Sequence, residues 1–111
     1  MFALEWCEFC WSVRKMLAAY GIPYRSVDLD SVAYQDDNRG GKLRVALRNH
    51  TTWDTFPQIF INGDFVGGCT DVFDQCKDGS LQTRLQADGI DCDLTVTKDP
   101  YDFLPGWLHP R

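Results

Sequence analysis

The sequence predicts an α/β fold in a single domain, and three observations support this prediction. Two short apolar runs enclose a helical pattern near the start of the chain, an Asn-Gly pair separates two further apolar runs, and a Gly-Gly pair precedes more helical patterns. With 111 residues and 44% hydrophobic content, the chain can form one compact core but not two ordinary domains. We expect this domain to span residues 1–95, followed by a C-terminal extension over residues 96–111.

The N-terminal part of the chain predicts a parallel βαβ unit. Residues 1–6 form a short apolar run typical of a buried strand, and apolar residues recur at helical spacing from Cys10 to Tyr20. Gly21 is expected to end this helix, because glycine readily adopts the left-handed conformation found after helix C-termini. Residues 24–29 partly alternate and predict a second strand. A helix that joins two strands usually makes them parallel and crosses over with a fixed hand.

The middle of the chain predicts a helix followed by a β-hairpin. Residues 31–41 are polar and are expected to form a loop in part, whereas residues 42–48 carry an apolar stripe and predict a second helix. Residues 58–61 and 64–66 flank Asn62-Gly63, the dipeptide best suited to the positive backbone angles of a two-residue turn. The sequence therefore predicts a hairpin at this place.

The C-terminal part predicts two short helices and an apolar extension. A helical pattern follows Asp71, and Ser80 is expected to cap a second helix that ends at Gly89. Residues 91–111 contain three prolines and several large apolar residues, namely Tyr101, Phe103, Leu104, Trp107 and Leu108. This composition is too apolar for a solvated tail. We expect the extension to dock on its own domain, and a partner-binding arm is the alternative.

Charge and hydropathy exclude two classes of partner. The net charge of -5 and the pI near 4.7 oppose binding to nucleic acid or to an anionic membrane surface, because both would repel the chain. No apolar run approaches the length that spans a bilayer, and no leader pattern is present at the N-terminus. The sequence therefore predicts a soluble, cytoplasmic protein.

The five cysteines are an odd number, which favours a reducing compartment over a fully paired secreted scaffold. Cys7 and Cys10 are separated by two residues where a predicted strand gives way to a helix. A helix N-terminus favours the thiolate form of a cysteine there, so the pair is interpreted as redox-active. From spacing alone it could also be half of a metal site. The remaining cysteines are interpreted as small buried hydrophobic residues, and they are Cys69, Cys76 and Cys92.

Three short motifs occur in an order that is typical of one protein family. They are Trp6-Cys7-Glu8-Phe9-Cys10, Thr55-Phe56-Pro57 and Gly67-Gly68-Cys69-Thr70-Asp71, with Phe60-Ile61-Asn62-Gly63 between the second and the third. On these motifs the chain resembles the glutaredoxins over residues 1–90. The resemblance implies a thioredoxin-like fold with a mixed sheet of four strands flanked by helices. It also implies thiol–disulfide exchange with glutathione as the electron donor.

The resemblance assigns roles to individual residues. Cys7 corresponds to the nucleophilic cysteine, Cys10 to the resolving one, and Pro57 to a cis-proline that turns the Phe56 backbone toward the nucleophile. The residues expected to bind glutathione are Thr55, Phe56, Pro57, Gly68, Cys69, Thr70 and Asp71. Backbone donors would hold its γ-glutamyl carboxylate and Asp71 its ammonium group. The expected partners are glutathione and protein disulfides or glutathionylated proteins, and the chain is expected to be a monomer.

The chain departs from the glutaredoxin pattern around the nucleophile. Many members carry lysine three residues before the first cysteine and a basic residue before the Thr-x-Pro triplet, whereas Leu4 and Asp54 stand here. Both cations that would meet the glycyl carboxylate of glutathione are replaced, and one replacement is an acid that would repel it. Glu8 stands where proline is common. Candidate replacement cations on or after the second predicted helix are Arg44, Arg48 and His50.

Two alternative functions use the same resemblance. A flavoprotein reductase or a partner enzyme could replace glutathione as the electron donor, because both expected cations are absent. Alternatively, two subunits could hold a [2Fe-2S] cluster through Cys7 and glutathione. A zinc site within the chain is not expected, since the sequence has no second pair of closely spaced cysteines, and His50 and His109 are isolated.

Overall fold

The computed structural model describes residues 1–96 and 99–104. The strands are β1 (Phe2–Ala3), β2 (Val27–Asp28), β3 (Ile59–Ile61) and β4 (Asp64–Gly67). The helices are α1 (Glu8–Ala19), α2 (Arg39–Thr51), α3 (Cys69–Asp78) and α4 (Ser80–Ala87). Short 3-10 turns occur at Val32–Tyr34, Asp36–Asn38 and Pro100–Phe103.

The strands pair as parallel and antiparallel ladders. β1 is parallel to β2, with α1 between them in the chain, which is the predicted βαβ unit. β3 and β4 form the predicted antiparallel hairpin, and Asn62 and Gly63 take positive φ angles of 53° and 86° in its turn. Phe2 and Gln58 exchange two backbone hydrogen bonds of 2.9 Å, which give the order β2-β1-β3-β4.

The four strands and flanking helices are arranged as expected, but regular pairing does not continue across all four strands. Only the pair Phe2–Gln58 links the two halves among the described residues. Pro57 precedes this pair and has no N–H to donate, and the register shifts between Ile59 and Phe60. Both features limit regular pairing beside the first strand of the hairpin.

Several element boundaries differ from the predicted ones. α2 begins at Arg39 rather than at Lys42, and a Cβ on Gly40 would overlap the Leu29 carbonyl, so glycine lets the helix begin against the end of β2. α3 begins at Cys69, before the predicted start. The prediction that Ser80 caps α4 was wrong, because Gly79 takes the N-cap position.

The hydrophobic core lies between the hairpin and helices α1, α3 and α4. Met16 of α1 and Phe73 of α3 are fully buried in it, and Leu81 and Leu85 of α4 are buried beside them. This packing fixes the N-termini of α1 and α3, whose backbone N–H groups border the site described below. Within residues 1–96 and 99–104, no helix is both long and apolar enough to cross a bilayer.

Residues 99–104 pack against α1 and α3. Pro100 and Leu104 are buried, and the Tyr101 ring lies edge-on to Phe73 with 5.3 Å between the centroids. The Tyr101 hydroxyl donates a 2.5 Å hydrogen bond to the Asp74 carboxylate. Residues 97–98 and 105–111 lie outside the described residues, so docking of the whole extension stays a prediction.

Candidate functional site

A cleft of about 470 Å³ lies between the N-terminus of α1, the segment before β3 and the first turn of α3. It brings together eight residues that the sequence analysis assigned to the site: Cys7, Thr55, Phe56, Pro57, Gly68, Cys69, Thr70 and Asp71. Cys10 does not line the cleft and lies behind it, fully buried. The three motifs are therefore adjacent in space, although they are far apart in the sequence.

Cys7 is the N-cap residue of α1. Its backbone is extended, with φ of −127° and ψ of 116°, and its sulfur accepts a 3.3 Å hydrogen bond from the Cys10 N–H. A sulfur in this position satisfies one of the N–H groups that every helix N-terminus leaves without an intrahelical partner. The Cys7 thiol lies 3.7 Å from the Phe56 carbonyl oxygen and can donate to it. The partly exposed sulfur therefore lies between a helix terminus and the wall of the cleft.

Cys10 is in a different environment from Cys7. Burial, and then a side-chain hydrogen bond with Cys7, raise the pKa of Cys10 to about 12. At neutral pH Cys10 therefore keeps its proton, and this proton can be shared with the Cys7 sulfur. The arrangement suits an accessible thiol that reacts first and a buried thiol that reacts second.

This difference predicts selective alkylation of the reduced protein at neutral pH. Iodoacetamide reacts with thiolates, so Cys10 should be protected by its burial and by its pKa of about 12. Cys92 is partly exposed, so the experiment needs a Cys92→Ser background. We expect mass spectrometry after brief treatment to show one added group, at Cys7. Equal modification of Cys10 in the folded protein would contradict the assignment.

The segment before β3 forms one wall of the cleft and contains the cis peptide bond Phe56-Pro57, as expected. The side chain of Gln58, which the sequence analysis did not single out, is fully buried behind this wall. Its Nε2 donates to the carbonyl oxygens of Trp53 and Thr55, each at 3.1 Å. Gln58 thus fixes the backbone that faces Cys7, and the signal in the sequence was a polar residue at the start of an otherwise apolar strand.

The first turn of α3 forms the opposite wall. Gly68 is the N-cap residue, and its N–H donates a 2.9 Å hydrogen bond to the Asp71 carboxylate. Gly67 has a φ of 136°, and a Cβ there would lie 2.5 Å from an Asp71 carboxylate oxygen. The turn therefore requires glycine. Cys69 packs into the core, and burial followed by repulsion from Cys7 raises its pKa to about 12, so its backbone is the part available to a ligand.

Cations near Asp54 offset the repulsion that its carboxylate was expected to exert on a ligand carboxylate. Arg48 pairs with Asp54 at 3.3 Å, which offsets the acid that stands in place of a cation. Arg44 lines the cleft, with its guanidinium carbon 5.2 Å from the centre of the Phe56 ring. His50 instead stacks on Phe60, with 6.1 Å between the ring centroids. Of the three candidate replacement cations, only Arg44 reaches the cleft.

Asp30 holds the segment that leads into Cys7, and sequence reasoning missed this contact. Its carboxylate accepts hydrogen bonds from the Glu5 N–H at 2.6 Å and the Trp6 N–H at 3.4 Å. The Trp11 indole N–H donates to the Glu5 carbonyl oxygen at 2.6 Å. An acid two residues after β2 could have indicated this role, because parallel strands end at the same edge of a sheet.

Comparison with known proteins identifies the family. The glutaredoxin family model matches residues 1–66. The chain is 32% identical to a Ricinus communis glutaredoxin, with 80% of this chain and 82% of that protein aligned. It is 37% identical to the chloroplastic bifunctional monothiol glutaredoxin-S16 of Arabidopsis thaliana, over 71% of this chain and 25% of that protein.

The solved structures agree with this result. The crystal structure of a buckwheat glutaredoxin–glutathione complex matches with a TM-score of 0.70 and 32% identity, over 79% of this chain and 76% of that one. The fold is therefore the thioredoxin-like α/β fold. Against three strongly matching plant relatives, the chain spans 25%, 43% and 63% of their length. The family model and the sequence identities together show that the chain belongs to the glutaredoxin family.

Proposed function

We propose that the chain is a thiol–disulfide oxidoreductase that uses glutathione as its electron donor, with Cys7 as nucleophile and Cys10 as resolving cysteine. The observation that carries this proposal is the pairing of a partly exposed Cys7 sulfur with a buried, protonated Cys10 at the N-terminus of α1. We also propose a cytoplasmic or otherwise reducing location, because five cysteines are an odd number and fit poorly with a fully paired secreted scaffold.

Glutathione fits the cleft in size and in polarity. A volume of about 470 Å³ lies in the range of pockets that hold small molecules. The N–H groups of Cys69 and Thr70 are in the first turn of α3, where they lack intrahelical partners and suit a carboxylate. The adjacent Asp71 carboxylate suits the ammonium group of the same γ-glutamyl end. The buckwheat protein was crystallised as a glutaredoxin–glutathione complex, which supports the same ligand here.

On a glutathionylated protein, the reaction consists of two exchanges. The Cys7 thiolate attacks the glutathione sulfur, so a Cys7–glutathione disulfide forms, the original disulfide breaks, and the protein leaves as a thiolate that takes up a proton. The thiolate of a second glutathione then attacks the glutathione sulfur held on Cys7. Oxidised glutathione leaves, and Cys7 returns to its thiolate. The net reaction consumes one free glutathione for each glutathionylated protein, and the glutathionyl group of the substrate leaves as the other half of the oxidised glutathione.

On a protein disulfide, Cys10 enters the reaction. Cys7 attacks one sulfur of the substrate and forms a mixed disulfide, while the other substrate sulfur leaves as a thiolate. Cys10 then loses its proton and attacks the Cys7 sulfur, which forms a Cys7–Cys10 disulfide and releases the second substrate thiol. Burial is the larger cause of the raised pKa of Cys10, and the hydrogen bond with the Cys7 thiol is the smaller one; formation of the mixed disulfide removes the Cys7 thiol and so favours ionisation of Cys10 at this step.

Arg44 is the residue that we expect to meet the glycyl carboxylate. An exposed ion pair contributes about 0.2–1 kcal/mol, so Arg44→Ala should raise the KM for glutathione about 1.4- to fivefold and change kcat little. Lys42→Ala is the matched control, since Lys42 lies on the same helix, pairs with Asp37 at 2.8 Å and does not line the cleft. An unchanged KM in Arg44→Ala would remove this residue from the glutathione site.

The electron donor is tested by comparing two reducing systems on one substrate. The mixed disulfide of glutathione and 2-mercaptoethanol is offered with glutathione and glutathione reductase, or with a thioredoxin reductase in place of both. We expect turnover with the first system and little with the second. Turnover with the flavoprotein alone would instead support the alternative donor, for which Leu4 and the acid Asp54 in the cleft wall are the motivating observations.

A further inference from the structure

Large aromatic side chains are exposed beside Cys7. The exposed fractions are 91% for Trp6, 50% for Trp11 and 38% for Phe9. Phe9 lines the cleft, whereas Trp6 and Trp11 lie outside it. Exposed aromatic residues grouped at one place on a soluble protein often mark a binding surface. We call Trp6 and Trp11, with the exposed glutamates on either side of Cys7, the tryptophan face.

The Trp11 side chain and the backbone of Glu5 and Trp6 are held in place by specific contacts. Trp11 is fixed from two sides, since its indole N–H donates to the Glu5 carbonyl oxygen at 2.6 Å and the Arg14 guanidinium lies 4.5 Å from its ring centre. The backbone N–H groups of Glu5 and Trp6 bind Asp30. A surface ordered before binding loses less conformational entropy when a partner docks. Large, ordered aromatic side chains are also the residues that most often dominate binding energy.

The tryptophan face is negatively charged. Glu5 and Glu8 are the only two glutamates in the chain, and both are exposed beside Trp6 and Cys7. Arg14 does not offset them, because it is buried and paired with Asp28 at 2.5 Å. The next cation along α1 is Lys15, seven residues after Glu8, which corresponds to about 10 Å of helix and so to about one screening length in physiological salt.

We propose that the tryptophan face docks a polypeptide substrate that carries arginine or lysine next to its disulfide-bonded or glutathionylated cysteine. This inference rests on the proposed function, because it names the substrate of the same Cys7 reaction. In a glutathionylated substrate the glutathione part occupies the cleft. The residues that flank the substrate cysteine must therefore lie on the protein surface outside the cleft. There, a cationic side chain stacks on an indole ring and pairs with Glu5 or Glu8.

The test uses two synthetic peptides that differ only in charge. Each carries one glutathionylated cysteine, flanked on both sides by arginine in one peptide and by glutamate in the other. We expect kcat/KM to be about tenfold higher for the arginine peptide at low ionic strength, and the ratio to fall to about twofold in 0.5 M salt. Equal kcat/KM values at low ionic strength would overturn the docking site.

Variants separate the two components of the tryptophan face. The double variant Glu5→Gln and Glu8→Gln should lower the peptide preference to about twofold. Asp88→Asn removes an exposed acid at the C-cap of α4 and should leave the preference unchanged. Trp6→Ala should raise the KM for the arginine peptide at least threefold, and Val32→Ala, which is 81% exposed elsewhere, should not. A preference that survives the double variant would overturn the role of the glutamates.

A small substrate distinguishes failure of the docking site from failure of the proposed function. The mixed disulfide of glutathione and 2-mercaptoethanol fills the cleft but offers no flanking residues. If it is reduced and the two peptides react equally, the docking site is overturned and the proposed function stands. If the wild-type protein reduces neither the small disulfide nor the peptides with glutathione, the proposed function itself is wrong. The ratio between peptides also cancels any effect of Glu8→Gln on the reactivity of Cys7.

Discussion

Replacement of Cys7 by serine should lower the rate of disulfide reduction by at least about a thousandfold, on every substrate and with every donor. A serine hydroxyl is not ionised near neutral pH and cannot act as the attacking group in disulfide exchange. Cys10 cannot substitute for it, because Cys10 is fully buried and its pKa is raised to about 12. The rate is followed by NADPH oxidation in a glutathione reductase-coupled assay. Residual activity above this level would indicate a second nucleophile.

Cys10→Ser is the matched variant, and the two substrate classes should respond to it differently. In the proposed reaction, removal of glutathione from a glutathionylated peptide uses only Cys7, so this rate should stay within about threefold of the wild-type rate. The backbone N–H of residue 10 still donates to the Cys7 sulfur, and a serine hydroxyl can also donate. Reduction of an intramolecular peptide disulfide should fall much further, because the resolving thiol is lost. Loss of both activities in a folded variant would contradict the division of roles.

Local patterns predicted the elements that deliver the site. The helical spacing after Cys10 is a local signal, and so is the Asn62-Gly63 turn, because each involves residues that are close in the sequence. Both α1 and the hairpin occur where these patterns predicted them. The residues assigned to the cleft also came from short contiguous motifs. Each motif lies at one end of an element, and the packing of these elements against the core brings the motifs together.

The contacts that the sequence did not reveal are long-range and involve single side chains. Asp30 binds the backbone of Glu5, and Gln58 binds the carbonyl oxygen of Trp53; neither contact produces a periodic pattern. The ion pair between Arg48 and Asp54 depends on the angle at which α2 meets the following loop. An isolated polar residue in the sequence is compatible with many partners. Only the packed structure selects one of them.

Asp71 has two separable roles, as a helix cap and as the expected partner of the glutathione ammonium group. In the wild-type protein the Gly68 N–H donates to the Asp71 carboxylate at 2.9 Å. Asp71→Asn keeps a side-chain oxygen that can accept this hydrogen bond but removes the negative charge. A charge-assisted hydrogen bond contributes about 1.5–3 kcal/mol. We therefore expect the KM for glutathione to rise at least tenfold, with little change in the temperature of unfolding.

Asp78→Asn is the matched control for this variant. Asp78 lies at the other end of α3 and also accepts a backbone N–H, from Ser80 at 2.8 Å, but it does not line the cleft. Calorimetric titration of glutathione into the Cys7→Ser protein, with and without each Asp-to-Asn change, measures binding without turnover. Unchanged affinity in Asp71→Asn would leave Asp71 as a helix cap alone, and the ammonium group would then need another acceptor. Weaker binding in Asp71→Asn but not in Asp78→Asn would attribute the loss to the charge at the first turn of α3, because both variants keep the oxygen that accepts a backbone N–H.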